Sequence, residues 1–393
     1  MTGFGAPAPG GAIDWPAVEV ALAPVVTAQA LAATPQDPGY HAEGDVWLHT
    51  RMALEALVAD AAYADADPAA RELLFAAVLL HDAGKPATTR VEDDGRVTSR
   101  GHSAVGENLV RAALWRAGSS FAVREHVCAL VRAHQVPFFA IDLPPPEATR
   151  RAARLSLSTR NDWLAAVAAA DGRGRRTADP RDRQRIVDNC ALWLTLCAEA
   201  GCLDRPRAFP DAHTRALYLA DERGTRQPDV AAFDDTVAEA VIMSGLPGSG
   251  KSTWIAAHPD LVAVSLDDLR DQLGVDPGDG QGAVVAAARD RAREHLRAGR
   301  PFAWNATTLT RPFRRNLVEL CRSYRFRVRI VYCEVTAVEQ RRRNRGRAGD
   351  AVVPDKVMAR MIGRWSPPAP DEAHAVTYVV DGAEAAGWPP PSL

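Results

Sequence analysis

Apolar side chains in the first half of this chain recur every three or four residues, whereas toward the C-terminus they gather into short unbroken runs. The two patterns predict two architectures. From Asp45 through residue 205 the helical period dominates, interrupted by turns such as Asp93-Asp94-Gly95 and by the Pro144-Pro145-Pro146 break. Ahead of it, Trp15–Ala33 reads as one short helix ending near Pro35–Pro38. From Ala240 onward the runs Ala240–Ser244, Leu261–Leu266, Phe302–Asn305, Val328–Cys333 and Val376–Val380 alternate with helical stretches. That alternation predicts a parallel sheet with helices on both faces. Pro206–Asp235, with Pro210, Gly224 and Pro228, reads as a connector. The expected organisation is multidomain: an N-terminal extension over 1–40, an all-α domain over 41–205, a connector over 206–237 and an α/β domain over 238–393.

Composition supports this and narrows the partners. A chain of 393 residues exceeds one ordinary core, and 47% hydrophobic with 24% charged residues is globular. The net charge of −2 supplies no global basic field, so nucleic-acid binding would have to come from local patches. No apolar run approaches the roughly 20 residues that span a bilayer. Met1–Ala12 lacks a basic region followed by an apolar one, so no secretion signal or membrane association is expected. Six scattered cysteines without a C-x-x-C pair predict reduced, mostly buried thiols in a cytoplasmic protein. Only three of the 47 basic residues are lysine: Lys85, Lys251 and Lys356. A lysine kept in so arginine-rich a chain marks places where a compact ammonium serves better than a planar guanidinium. Two of the three fall in motifs.

The first motif is Gly245-Leu246-Pro247-Gly248-Ser249-Gly250-Lys251-Ser252-Thr253, which fits the phosphate-binding loop at every fixed position. It follows the apolar run Ala240–Ser244 and precedes a helical stretch, Ser252–Ala257. In such a loop the backbone N–H groups and the positive helix end face a phosphate. Lys251 is expected to neutralise the β/γ-phosphates of ATP or another NTP, and Ser252 to hold Mg²⁺.

The second motif lies in the helical half. The apolar stretch Leu73–Leu80 ends in His81-Asp82-Ala83-Gly84-Lys85-Pro86. His49, His134 and Asp171 sit on apolar helical faces, and His102 opens another helix. Singly, each is as well explained as a core or capping residue. An interior aspartate, however, needs a partner, because burying it unpaired costs several kcal/mol. The order His…His-Asp…His…His…Asp resembles the HD phosphohydrolase superfamily over residues 40–175. The resemblance implies one divalent metal on His49, His81, Asp82 and Asp171 and a second on Asp82, His102 and His134. It also implies that Lys85 contacts the scissile phosphate. The mixed N/O donors suit Mn, Fe, Co, Ni or Zn better than Mg. His41, Glu43 and Asp45 are read as a surface loop rather than as pocket lining.

The run Val264-Ser265-Leu266 leads into Asp267-Asp268-Leu269-Arg270. A carboxylate at a strand end beside the phosphate loop can accept the proton of an attacking hydroxyl, and an arginine one turn on can hold the acceptor's own phosphate. Residues 238–380 resemble polynucleotide 5′-hydroxyl kinases of the end-healing type, with an adenylate-kinase-like fold. The resemblance implies Asp267 as general base and Arg270 as phosphate contact, with Asp268 read as a helix cap. The basic run Arg341–Arg347 is either a solvated helix face or a lid. As a lid, its arginines would be Arg341 with Arg345, and Arg343 with Arg347 has the same spacing. Asn305 and Thr308 depart from the pattern of the relatives and receive no role. Arg311, Arg314 and Arg315 either extend a basic track or face solvent.

As a whole the chain resembles bacterial two-domain enzymes that heal nucleic-acid ends before ligation. That resemblance implies RNA or DNA strand ends as partners, with a ligase acting downstream. Two alternatives stay open: a metabolic enzyme that pairs a small-molecule or nucleoside kinase with a nucleotide phosphohydrolase, and a nucleotide-sensing regulator. The oligomeric state stays open as well.

Overall fold

The computed structural model describes residues 3–275, 281–347 and 352–385. The chain divides into two compact units, one reaching to Ala208 and the other beginning at Phe209.

The first unit is helical and is built around Pro68–Leu80. Every residue from Leu73 to Leu80 in that helix is buried, which places it inside the bundle rather than on its face. Asp67 caps its N-terminus by accepting from Ala69 and Ala70 N–H. Packed around it are Val46–Val58, Phe121–Ala133 and Asn161–Arg173. Their apolar faces supply Leu54, Leu57, Leu130, Val131, Leu164 and Val167, all essentially inaccessible to solvent. Burying each such side chain contributes about 1.5–3 kcal/mol. The Asp93-Asp94-Gly95 turn joins two short antiparallel strands, β1 (Arg90–Val91) and β2 (Val97–Thr98), with Gly95 at φ +81°.

The N-terminal stretch departs from expectation in two ways. Trp15–Ala33 is two helices, Trp15–Leu22 and Ala28–Ala32, because Pro24 cannot continue a helix and Thr27 caps the second by accepting from Ala30 N–H. It also belongs to the first unit's core. Val18 and Leu22 are fully buried, and the N–H groups of Phe4 and Ala6 donate to Glu72.

Among its described residues the second unit holds a six-stranded sheet. Its strands are β3 (Ala238–Ser244), β4 (Val262–Ser265), β5 (Phe302–Asn305), β6 (Phe326–Glu334), β7 (Ala375–Val380) and β8 (Ala383–Glu384), in spatial order β4-β5-β3-β6-β7-β8. The first five pair in parallel, and β8 adds an antiparallel edge. After β3 the chain builds β4 and β5 on one side and then β6 on the other, so the strand order reverses at β3. Ligands of open α/β sheets bind at such a point, beyond the C-terminal strand ends. The stretch read as a connector carries a helix, Ala212–Ala220, capped by Asp211. Its His213 stacks on His374.

Arg314, expected on a basic track or in solvent, is fully buried. It is paired bidentately with Glu372 at 2.7 and 2.9 Å and donates to the Thr308 and Ser366 carbonyls. Arg311 is bound to Asp371, and Arg315 pairs with Glu319 on its own helix. All six cysteines are buried and unpaired. Among the described residues, no helix is long and apolar enough to cross a membrane.

Arg314→Ala would leave Glu372 buried without its cation. Denaturant unfolding followed in the second unit should show a loss of about 3–5 kcal/mol.

Candidate active sites

In the first unit, the six histidines and aspartates singled out in the sequence converge on one interior point. His49 comes from Val46–Val58 and Asp171 from Asn161–Arg173. His81 and His134 cap the C-terminal ends of Pro68–Leu80 and Phe121–Ala133, and His102 starts His102–Arg116. All six are buried. They fall into two groups, His49/His81/Asp171 and Asp82/His102/His134, within which the ligand atoms lie no more than 4.8 Å apart. Asp82 faces both. Its Oδ2 is 3.1 Å from His81 Nε2 and 3.8 Å from His49 Nε2, while its Oδ1 is 3.4 Å from His102 Nε2.

The hydrogen bonds behind the rings fix which nitrogen faces inward. His81, His102 and His134 each donate Nδ1–H to a backbone carbonyl, of Val78, Ser99 and Val131, at 2.6–2.8 Å. His49 Nδ1 lies 3.0 Å from Glu43 Oε1. The Nε2 atoms of His81, His102 and His134 are therefore left to meet their neighbours, and that of His49 lies 3.1 Å from Asp171 Oδ1. The His49–His81 and His102–His134 Nε2 pairs are 3.3 and 3.4 Å apart. Two lone pairs at that distance need a cation between them or a proton on one. Two metal–nitrogen bonds of about 2.1 Å at near-tetrahedral angles span this separation. The donor set fits a divalent metal, with the back-side hydrogen bonds typical of metal-binding imidazoles.

Charge reinforces the fit. Burial works against ionising Asp82 and Asp171, yet His81 and Lys85 on one and Arg175 and His49 on the other hold both carboxyls well below the usual range. Burial and the neighbouring His81 push His134 down to about 3, so it stays a neutral donor. Lys85 Nζ is 2.7 Å from Asp82 Oδ2 and donates to Gln36 at 2.6 Å. Gly84 permits the crossing with the helix that begins at His102, since a Cβ there would lie 2.1 Å from the His102 carbonyl oxygen.

One residue of this pocket escaped the sequence reading and two were placed wrongly by it. Arg175 grips Asp171 with two 2.9 Å bonds; its only signal was the four-residue helical spacing. His41 and Glu43 are not a surface loop: both are buried against His49. Asp45 caps the His49 helix by accepting from Leu48 N–H at 2.8 Å.

In the second unit the phosphate loop leaves β3 at the C-terminal strand edge. Gly245, Gly248 and Gly250 have φ of +140°, +81° and +104°, a region that favours glycine. A Cβ on Gly245 would strike the Cys333 carbonyl at 2.2 Å. Lys251 opens the helix Lys251–Ala256 and donates to the Gly245 and Leu246 carbonyls at 2.9 Å. Burial lowers its ammonium to about 8. Ser252, the expected Mg²⁺ ligand, is exposed in the first turn. Thr308 braces the loop from below: its Oγ1 bonds the Met243 carbonyl and its own carbonyl accepts from Ser244 Oγ. Its φ of +36° is strained for a β-branched residue.

Asp267 and Arg270 follow β4 on the same edge and are paired at 2.5 Å, with Asp267 exposed and close enough to act on Lys251. Asp268 does not cap the helix. Ser265 does, accepting from Asp268 N–H at 3.2 Å. Within the basic run, the geometry favours the second register. Arg343 packs over Gly248 and Gly250, and Arg347 lies within electrostatic reach of Lys251. Arg341 instead bonds the Ala337 carbonyl of its own helix, and Arg345 is exposed at that helix's end. Gln340, which the sequence did not single out, donates to the Pro247 carbonyl at 3.1 Å.

The family comparisons agree with this division. Residues 46–188 match the model of the HD domain and residues 241–368 that of an AAA domain. The chain thus joins a helical HD domain to a P-loop kinase-like domain with a mostly parallel sheet. It is 34% identical over 154 residues to a multifunctional CCA protein of Halorhodospira halophila, a match covering 38% of this chain and 34% of that protein. The chain therefore spans about a third of that relative's length. A solved structure of a candidate kinase from Chloroflexus aurantiacus aligns over 38% of this chain and 87% of its own, at 17% identity and a TM-score of 0.32. Likeness at that level adds nothing to the reading of the site.

The donor set predicts that Mn²⁺ stabilises the metal-depleted protein, by about 2.7 kcal/mol at a hundredfold excess over its Kd. Scanning calorimetry should show the rise in Tm for the wild type and its absence in Asp82→Ala.

Proposed function

We propose that this chain heals broken nucleic-acid ends: the P-loop domain phosphorylates a 5′-hydroxyl, and the HD domain removes a 2′,3′-cyclic, 2′ or 3′ phosphate. The reading is carried by the Asp267–Arg270 pair on the strand edge that bears the phosphate loop. It joins a proton acceptor to a phosphate-binding guanidinium, in a chain that also holds a phosphoesterase-type pocket.

At the kinase site, the loop N–H groups and Lys251 bind the β/γ-phosphates of ATP or another NTP. Asp267 takes the proton of the attacking hydroxyl while Arg270 turns from it to the acceptor's phosphate. Arg343 and Arg347 offset charge on the moving group. Mg²⁺, held through Ser252, supplies electrostatic neutralisation of the phosphate oxygens. At the HD site the six ligands hold one or two transition-metal ions, whose chemistry is activation of water and clamping of a phosphoester. Lys85 and Arg175 add fixed positive charge beside the carboxylates. The partners on this reading are RNA or DNA ends in the cytoplasm, with a ligase acting on the product.

One observation favours the metabolic alternative. Arg311, Arg314 and Arg315, which would have continued a basic track for a strand, are engaged by Asp371, Glu372 and Glu319. A small acceptor needs no such track.

The test is to incubate the full chain with an RNA carrying a 5′-hydroxyl and a 2′,3′-cyclic phosphate, labelled ATP, Mg²⁺ and Mn²⁺. Label should appear at the 5′ end and the terminal phosphate should be lost. Exclusive phosphorylation of mononucleosides would sink the end-healing reading. Asp267→Ala should reduce label transfer by about 10²–10⁴-fold while phosphate removal continues. Asp82→Ala should do the reverse.

A further inference from the structure

Of the four ligand histidines, three donate Nδ1–H to a neutral backbone carbonyl, whereas the Nδ1 of His49 faces a carboxylate at 3.0 Å without a completed hydrogen bond. That carboxylate, Glu43, is fully buried and held from three directions. Its Oε1 lies 2.8 Å from His41 Nδ1 and 3.0 Å from His49 Nδ1, and its Oε2 accepts from Arg176 N–H at 2.8 Å. Its backbone is held too. Ala42 N–H donates to the Arg176 carbonyl at 2.6 Å and Ala178 N–H to that of Gly39 at 3.0 Å. The segment before the His49 helix is thereby clasped to the segment after the Asp171 helix. Glu43 and Arg175, the two groups behind His49 and Asp171, arrive on the two arms of one clasp.

His41, Glu43 and His49 are close enough to be considered a metal cluster of their own. Their chemistry argues otherwise. Both Glu43 oxygens already accept from N–H groups, and His49 can present Nε2 to the pocket only if Nδ1 keeps its proton. A carboxylate 3.0 Å from this nitrogen favours the proton there by charge and makes Nε2 a stronger donor than a neutral carbonyl would.

We propose that Glu43 is a positioning residue of the metal site: it orients and activates His49 and so makes the His49/His81/Asp171 group the tighter of the two ion sites. The Asp82/His102/His134 group, whose two histidines are backed by neutral carbonyls, fills second. This rests on the metal reading of the six ligands. Glu43 itself touches neither ion nor substrate.

Calorimetric titration of the metal-depleted full chain with Mn²⁺ tests it, alongside the Tm of the metal-free protein. In Glu43→Gln the tightest binding step should weaken about 10- to 100-fold, with the second step and the metal-free Tm close to wild type. An unchanged first step overturns the proposal. Equal weakening of both steps with a lowered metal-free Tm also overturns it, because that is the mark of a structural role. If Glu43→Gln does not fold, Glu43→Asp keeps the charge but shortens its reach, and it too must weaken the first step; wild-type affinity there rejects the proposal. A wild-type chain that binds no Mn²⁺ rejects the metal reading itself.

Discussion

Two aspartates buried in a helical core set the terms for the first unit. Asp82 and Asp171 are each almost wholly removed from water, an arrangement that is unfavourable by several kcal/mol per uncompensated charge. Compensation comes from every side. Lys85 and the imidazoles meet Asp82, Arg175 meets Asp171 bidentately, and His49 sits against both. The helices must bring those partners to one point, so their packing angles and their terminations at His81 and His134 follow from that need as much as from the apolar contacts. A divalent ion in the same place would relieve the facing Nε2 atoms that the hydrogen bonds force together.

The second unit solves a different problem with backbone. Its phosphate loop needs N–H groups pointing inward, which requires positive φ at three glycines and a floor beneath them. The floor comes from β5 and its exit, through Thr307 and Thr308, and the flank from Gln340. Arg314, buried beneath, holds the Thr308 carbonyl in place. A residue that looked like surface charge is part of the foundation of the nucleotide site.

Much of this was legible in the sequence, for reasons that also explain the rest. The parallel strands were visible because a strand covered on both faces is a short apolar run, as in the buried Ala240–Ser244 part of β3. The six ligands were visible because each stands at a fixed place in a helical pattern. Glu43 was not, since nothing periodic marks a loop residue that becomes buried only when residues 175–178 fold back on it. The lid register was hidden because successive arginines share one chemistry, and only packing against Gly248 separates Arg343 from Arg341. The break in Trp15–Ala33 was masked by apolar residues on both sides of Pro24, which carry the period across it.

The scarcity of lysine has a practical side. Lys85 lies inside one pocket and Lys251 inside the other, and Lys356 is exposed. With its ammonium lowered to about 8, Lys251 has an appreciable fraction of free amine near neutral pH. Amine-directed labels therefore have very few addresses on this chain. Two of them are the two pockets, and the extent of modification at each lysine becomes a separate gauge of whether its own site is filled.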